Sequence, residues 1–324
     1  MNFQDLRKIE KPDFYIDHAF SRASKKISLS RTKIKGDRIN KSKTLELTRI
    51  DIIRTVLISQ LDKITESFPS IDNLEPFYIE LIKCTLDYKD LKKSLGALGF
   101  ARKTIGSLFK HYSFKIKHTS DIKFINKLRN EFLGRVSSVF KQIKNNLDYL
   151  EESRKTMRQY PSVKSKLFTV CIFGFPNVGK STLLKKLTDA NPEINSYAFT
   201  TKKLNLGYIK TPKFKIQIID TPGTLNRVNK MNYIELQAHL AIEHLAHATI
   251  YVFDPTYEYD FDSQKKLLKR LKEYKKQGLM YLSKTDVADK EVIDEFKEKY
   301  PKFLTPEEIK DELIKMASKF YLQT

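Results

Sequence analysis

The residues most suited to chemistry lie in one short stretch, GFPNVGKST, at residues 174–182. Gly174, Gly179, Lys180 and Ser181 fit the pattern G-x-x-x-x-G-K-[ST], between an apolar β-branched segment and a helical pattern. Glycine allows a turn whose backbone N–H groups point at phosphate oxygens, and the following helix adds its N-terminal dipole. The lysine reaches the terminal phosphates and the serine hydroxyl binds Mg²⁺. We predict a nucleotide pocket formed by Gly174, Phe175, Pro176, Asn177, Val178, Gly179, Lys180, Ser181 and Thr182.

A second motif begins 39 residues beyond Ser181, where the apolar segment of FKIQIIDTPG ends. Because open α/β sheets bind ligands at the carboxyl ends of their strands, Asp220 is predicted to hold Mg²⁺ through water, and the Gly223 N–H to sense the γ-phosphate. Between the motifs, Thr200 and Thr201 both lie where a threonine can bind Mg²⁺ only while a γ-phosphate is present, and Thr201 is preferred. The predicted metal ligands are therefore Ser181, Thr201 and Asp220.

The segment GLMYLSKTD predicts which base is bound. Its S-K-T-D end resembles the [NT]-K-x-D motif that recognises guanine. Asp286 offers two acceptors to the guanine N1–H and exocyclic amine, which adenine cannot match, and the stem of Lys284 lies along the base. Each unmade bond costs about 1–3 kcal/mol, enough to favour GTP over ATP. Ser283 stands where Asn or Thr is usual and can make fewer bonds to the phosphate loop, so we predict weakened nucleotide affinity.

Charge is the clearest signal in the composition. The 324 residues carry a net charge of +21, with +14 in residues 1–160 and +7 in the remainder. Such a surplus favours polyanionic partners, either RNA or an acidic membrane surface, although a lysine-rich solubilising surface is the alternative. No apolar run approaches the length of about 20 residues that crosses a bilayer, and the N-terminus lacks an apolar signal core. We therefore expect a protein without a membrane partner that is cytoplasmic, or nucleolar if its source is eukaryotic.

The elements that must position these motifs fall into distinct segments. Residues 1–45 show little helical periodicity and are rich in basic residues, which predicts a poorly ordered basic arm. Residues 46–160 carry apolar residues at helical spacing and predict an all-α helical bundle, followed by a linker at 161–166. Residues 167–324 alternate short apolar strands with helices. This alternation predicts an α/β domain with a mostly parallel sheet and helices on both faces.

One part of the helical segment is unusually basic. Residues 91–120 contain seven Lys or Arg residues and no Asp or Glu. A basic helical face with aromatic residues suits phosphate backbones and unstacked bases. Our interpretation assigns the lysines to such a surface, but Phe100, Phe109 and Phe114 to the hydrophobic core.

Together these residues resemble the nucleolar GTP-binding protein 1 family in its short archaeal form, within the Era/Obg branch of translation GTPases. The resemblance covers residues 45–290 and rests on FPSIDNLEPFY, LGRVSSVFKQIKNNLDYLEESR, GFPNVGKS, YAFTTK, IDTPG and IELQAHLAIEHL. It implies a P-loop GTPase domain preceded by a helical bundle. It also implies an assembly factor, monomeric off the ribosome, that docks on the maturing large ribosomal subunit with its helical half against ribosomal RNA.

The resemblance also implies roles for individual residues. Lys180, Thr201, Gly223 and Asn177 become the catalytic group. In relatives with asparagine at the position of Asn177, the side chain can bind K⁺, which then bridges the phosphates. The hypothesis suits this chain because Gly223, Thr224 and Leu225 include no glutamine to orient water. The alternative is that Asn177 only shapes the loop. The serine–alanine motif that normally contacts the guanine carbonyl is missing, and Thr305 is a poor substitute.

Two functions follow from these motifs. The favoured one is a GTP-hydrolysing switch that is slow alone and is stimulated by an RNA or ribosomal partner. The alternative is an RNA-binding scaffold that is gated by nucleotide and hydrolyses negligibly, since the group that positions water is unassigned. An ATPase is disfavoured by Asp286.

Overall fold

The computed structural model describes residues 3–31, 34, 36–188, 193–196, 203–221, 233–256, 258–300 and 302–323, with the backbone alone at 193–196, 203–204 and 233–238. The described chain divides into two compact units. The helical unit comprises Gln4–Leu74 and Leu86–Arg158. The α/β unit comprises Phe3, Glu75–Thr85 and the described residues from Gln159 onward.

The helical unit confirms the predicted all-α fold. Its helices are α1 (Pro12–Ser30), α2 (Arg38–Ser67), α4 (Tyr88–His118), α5 (Ile122–Gln142) and α6 (Lys144–Met157), with a 3₁₀ turn at Ile71–Asn73. Three of them begin at an aspartate whose carboxylate accepts backbone N–H bonds, namely Asp37, Asp87 and Asp121. The core is formed by one apolar face of each helix and includes Ile50, Ile53, Leu57, Leu61, Ile105, Phe132 and Phe140.

The interpretation of residues 1–45 as a poorly ordered arm is wrong. Leu6 and Ile9 are buried, and the Ile9 N–H donates to the Glu151 carboxylate at 2.9 Å. Helix α1 buries one face, formed by Pro12, Tyr15, Ile16, Ala19, Ala23 and Ile27. Two of these six residues are alanines, so the apolar stripe carries little hydrophobicity and is obscured by the surrounding basic residues.

The assignment of three phenylalanines to the core is also wrong for two of them. Phe100 is 54% exposed and Phe114 is 64% exposed, whereas Phe109 is half-buried beneath the Arg54 guanidinium, 4.2 Å from the ring centroid. The buried face of α4 lies at a different angle on the helix. It consists of Leu91, Ser94, Leu98, Ala101, Ile105, Tyr112, Ser113 and Ile116.

The α/β unit confirms the predicted mostly parallel sheet. Its strands are β1 (Phe168–Phe173), β2 (Glu193–Ser196), β3 (Lys203–Lys210), β4 (Lys215–Asp220), β5 (Ala248–Phe253) and β6 (Gln277–Leu282), in the order β2-β3-β4-β1-β5-β6. The pairs β4–β1, β1–β5 and β5–β6 are parallel, and β2–β3 and β3–β4 are antiparallel. β1 and β5 are buried at every residue, which explains their continuous apolar runs.

In the part of this unit that the structure describes, six helices accompany the sheet: α3 (Pro76–Thr85), α7 (Lys180–Leu187), α8 (Tyr233–His244), α9 (Phe261–Glu273), α10 (Lys290–Lys299) and α11 (Pro306–Gln323). Helix α3 belongs to this unit, although our segmentation placed it within the 46–160 bundle. Tyr78 links α3 to the segment before β1, since its hydroxyl donates to the Pro161 carbonyl at 2.9 Å and accepts from the Val163 N–H at 3.0 Å. Burial raises the pKa of Tyr78 to about 12.

None of the helices in the described ranges combines the length and apolar character required to span a membrane.

Candidate nucleotide-binding site

The phosphate loop, residues 174–181, connects the end of β1 to the start of α7. Three of its residues have positive φ: Gly174 at 155°, Asn177 at 60° and Gly179 at 91°. A Cβ atom on Gly174 would lie 2.8 Å from the backbone oxygen of Val252, so glycine is required there by both conformation and space. The sequence motif is therefore matched by the strand–loop–helix geometry that it predicts.

Lys180 lies inside this loop. Its side chain is only 6% exposed, and its Nζ donates to the carbonyl oxygens of Gly174 at 3.3 Å and Phe175 at 2.5 Å. The ammonium is therefore hydrogen-bonded to the loop's own carbonyl groups. When a phosphate enters the loop, the ammonium can exchange these neutral acceptors for charged phosphate oxygens, which form stronger hydrogen bonds.

Ser181 and Asp220 meet at the carboxyl ends of β1 and β4. The Ser181 hydroxyl donates to Asp220 Oδ2 at 2.5 Å, and Asn205 Nδ2 donates to the same oxygen at 3.0 Å. Asp220 is 6% exposed, and its register partners are Ile172 on β1 and Asn205 on β3. A hydroxyl and a carboxylate in contact are the oxygen ligands that suit a hard cation such as Mg²⁺. The structure thus brings together two of the three predicted metal ligands.

The remaining predictions near the phosphates cannot be placed. Thr200, the preferred Thr201 and Gly223 lie outside the described residues. Within the described ranges, no cluster of three or more His, Cys, Asp or Glu side chains is arranged to hold a metal ion.

The guanine loop, residues 283–286, is attached to the phosphate loop through Ser283. The Ser283 hydroxyl lies 2.7 Å from the Val178 oxygen and 2.8 Å from the Phe253 oxygen, and its N–H also donates to Phe253 at 2.9 Å. A hydroxyl has one proton, so it can satisfy only one of the two carbonyls at a time. Ser283 therefore joins the two loops as Asn would, but with a single donor. Asp286 is exposed at the tip of the turn.

Two acidic residues that the motif analysis missed hold Lys284. Its Nζ lies 2.6 Å from Asp254 Oδ2 and 3.4 Å from Glu258 Oε2. Asp254 is fully buried, and its other oxygen accepts from the Thr256 N–H and hydroxyl at 2.9 and 2.7 Å. Burial alone would lower the pKa of Lys284, but hydrogen bonds and charge from Asp254 and then Glu258 outweigh it, so the pKa is raised. Lys284 therefore stays charged.

The loop after β5 also contacts the phosphate loop directly. Asn177 Nδ2 donates to Glu258 Oε1 at 3.3 Å, and the Phe175 and Tyr259 rings stack with centroids 4.3 Å apart. Through Asp254, Glu258 and Tyr259, this loop contacts both the phosphate loop and the guanine loop. One sequence signal could have found Asp254, because it directly follows the buried strand β5, much as Asp220 ends β4.

Thr305 has a local structural role. Its hydroxyl accepts from the Glu308 N–H at 3.3 Å, and the Glu308 carboxylate accepts from the Thr305 N–H at 2.8 Å. This reciprocal pair is a capping box at the start of α11.

A phosphate loop, an acidic strand end and a guanine loop at one edge of a parallel sheet define a GTPase-type P-loop domain. Comparison with known proteins agrees: the family model described as 50S ribosome-binding GTPase matches residues 169–284. The model described as NOG1 N-terminal helical domain matches residues 3–164. The chain belongs to the NOG1 family.

Two relatives found by sequence similarity accompany these family matches. An uncharacterised protein from Methanocaldococcus jannaschii is 36% identical over 89% of this chain and 82% of its own length. The nucleolar GTP-binding protein 1 of Drosophila melanogaster is 30% identical over 91% of this chain but only 46% of its own. This chain thus spans about half the length of the eukaryotic relatives it matches. The G domain of the Thermotoga maritima FeoB iron transporter is similar at 23% identity and a TM-score of 0.39, over 47% of this chain and 99% of that one.

Proposed function

We propose that this protein is a molecular switch that binds GTP in the presence of Mg²⁺ and hydrolyses it slowly until a partner stimulates it. The observation that carries the proposal is the Lys180 ammonium held among phosphate-loop carbonyls, beside the Ser181–Asp220 contact. Lys180 binds the β- and γ-phosphates, and backbone N–H groups of the loop bind the remaining phosphate oxygens. Asp286 accepts from guanine, and Asp254 and Glu258 keep the Lys284 stem positioned along the base.

The cation sites follow from the same residues. Ser181, Asp220 and Thr201 would hold Mg²⁺, which neutralises phosphate charge when it is bound. Asn177 is a candidate K⁺ ligand. Its Nδ2 faces the Glu258 carboxylate, which can only accept, so the amide oxygen remains for a cation. This arrangement favours a K⁺-assisted reaction in which no glutamine is needed.

The proposed partner is the precursor of the large ribosomal subunit. Two observations support this: the family descriptions name ribosome-binding and nucleolar GTP-binding proteins, and the first 160 residues carry a charge of +14. The helical unit would dock on ribosomal RNA while the α/β unit binds nucleotide. The protein would be cytoplasmic, associated with ribosomes, and monomeric when released from them.

Single-turnover GTP hydrolysis, with and without large-subunit particles, tests the proposal. We expect slow hydrolysis alone, faster hydrolysis with particles and a further gain in K⁺ over Na⁺. Ser181→Ala should abolish the reaction, and the exposed Ser165→Ala is the matched control on the same unit. Binding of GTP without hydrolysis under any condition would favour the scaffold alternative, and equal turnover in K⁺ and Na⁺ would overturn the role given to Asn177.

A further inference from the structure

One exposed stripe on helix α4 has no role in nucleotide chemistry. It consists of eight positions spaced alternately three and four residues apart, which places them on one side of the helix. All eight are exposed: Lys93, Gly96, Phe100, Lys103, Ser107, Lys110, Phe114 and Lys117. We refer to these residues as the Phe–Lys stripe.

The two phenyl rings of the stripe are unusually exposed. Phe100 is 54% exposed and Phe114 is 64% exposed, although phenylalanine side chains are usually buried in the hydrophobic core. Phe114 is also held in place, because its ring lies 4.1 Å from the His118 ring and His118 Nδ1 lies 2.8 Å from the Phe114 carbonyl oxygen. Phe114 therefore presents a flat, positioned aromatic surface to the solvent.

The positive charge of the stripe indicates an anionic partner. Its four lysines alternate with the phenylalanines and small residues, and residues 91–120 contain no acidic side chain. Phe100 and Phe114 are separated by 14 residues, or about 21 Å along the helix axis. Polar lysines occupy the interval between the rings, so the stripe lacks the continuous apolar face that inserts into a bilayer. A second copy of the stripe is also excluded as the partner, since lysines would face lysines.

We propose that the Phe–Lys stripe binds an unpaired segment of RNA, whose bases stack on Phe100 and Phe114 while its phosphates contact the intervening lysines. Proteins that bind single strands combine aromatic platforms with a basic track in this way. The inference rests on the proposed docking of the helical unit on RNA. Beyond that docking, the inference specifies which surface of the helical unit contacts the RNA and that the contacted RNA is single-stranded rather than duplex.

Fluorescence anisotropy with the full chain tests the proposal, using a labelled oligouridylate of about 15 nucleotides and an RNA duplex of equal length. Phe100→Ala and Phe114→Ala should each weaken binding of the single strand by about 5- to 100-fold and leave duplex binding unchanged. Phe114→Tyr should retain binding because it keeps the ring. The matched control is Phe14→Ala, which removes a ring that is 53% exposed on α1, outside the stripe.

Salt dependence separates stacking from charge. Replacing Lys103 and Lys110 together by serine should reduce the slope of log affinity against log salt by about 1.4, which corresponds to two phosphate contacts on a single strand. The phenylalanine variants should lower affinity without changing the slope. Lys141→Ser combined with Lys144→Ser removes equal charge from exposed positions outside the stripe, and it should alter the slope less.

The outcomes are distinct. If the wild-type chain binds RNA but Phe100→Ala and Phe114→Ala behave like Phe14→Ala, the stripe proposal fails and RNA docking stands. If the wild-type chain binds neither RNA probe, both fail. If the phenylalanine variants lose binding to phosphatidylserine vesicles but not to RNA, the stripe is a membrane surface and the proposal is overturned.

Discussion

The ion pair between Lys284 and Asp254 offers the sharpest mutational test of the site. It joins the residue that follows β5 to the guanine loop at 2.6 Å. Lys284 itself has a φ of 51°, which is uncommon for a residue other than glycine. Asp254→Asn keeps the shape of the side chain and leaves one oxygen to accept from Thr256. It removes the negative charge that faces the Lys284 ammonium.

The size of the effect follows from burial. At an effective dielectric constant of about 20, charges at this separation attract by about 6 kcal/mol before desolvation is subtracted. Removing one partner of a buried pair costs about 3–5 kcal/mol. Asp254 is fully buried, but the Lys284 side chain is 29% exposed and can regain water. We therefore expect Asp254→Asn to lower the free energy of unfolding by about 2–3 kcal/mol and to weaken GDP binding about tenfold.

Urea unfolding and calorimetric titration with GDP measure both quantities on the full chain. Glu258→Gln is the matched control, because Glu258 is 38% exposed and lies 3.4 Å from the same ammonium. Glu258→Gln should lower the free energy of unfolding by less than about 1 kcal/mol. The reasoning is refuted if Asp254→Asn matches the wild type in stability and affinity, or if Glu258→Gln has the larger effect.

Three further predictions follow from the geometry. Gly174→Ala should lower the free energy of unfolding by about 2–4 kcal/mol through strain and contact with a backbone oxygen. Gly278→Ala, whose Cβ would have its nearest neighbour at 3.6 Å, serves as the control in urea unfolding. Ser283→Asn should tighten GDP binding about 2- to 10-fold in the same titration, because an amide offers two donors; no gain would contradict this. His247 has a pKa lowered from 6.5 by burial and then by Lys276, and its Nδ1 accepts from a backbone N–H at 3.0 Å, so the fold favours the neutral ring. The free energy of unfolding should therefore decrease as the pH drops below 6.5, because the unfolded chain then takes up a proton at His247. His247→Leu should make this decrease smaller; the same pH dependence in the variant and the wild type would contradict the prediction.

The sequence predicted those parts of the site in which a local motif fixes the geometry. The phosphate loop needs glycine at two positive-φ positions and a helix after it, so the pattern around Lys180 determines its own conformation. Asp220 was predictable because an apolar strand ends at that residue. The basic charge of the helical half and the mostly parallel sheet followed from composition and periodicity.

The remainder depends on contacts between segments that are distant in the chain. Asn205 contacts Asp220 because β3 pairs with β4. Asp254 contacts Lys284 because β5 and β6 are neighbours in the sheet. A single acidic residue after a strand is too common to reveal such a role. Helix α1 was missed because its buried face includes Ala19 and Ala23, which give a weak hydrophobic signal.

The exposed phenylalanines show a different limit. An aromatic residue in a helix is usually buried, and the helical spacing of α4 allowed either face to be the core. The structure shows that the buried face of α4 is mostly aliphatic with Tyr112 as its one aromatic residue, and that Phe100 and Phe114 face the solvent. Only the packing of α4 against its neighbouring helices shows that these two rings lie on the surface.

Equilibrium titration of the purified chain with GTP, GDP and ATP in the presence of Mg²⁺ tests the central claim most directly. We predict saturable binding of both guanine nucleotides, ATP binding at least about 30-fold weaker, and loss of all three with Lys180→Ala. Asp286→Asn should reduce the preference for guanine while leaving the phosphate loop intact. The absence of saturable guanine-nucleotide binding, or equal affinity for ATP, would contradict the account.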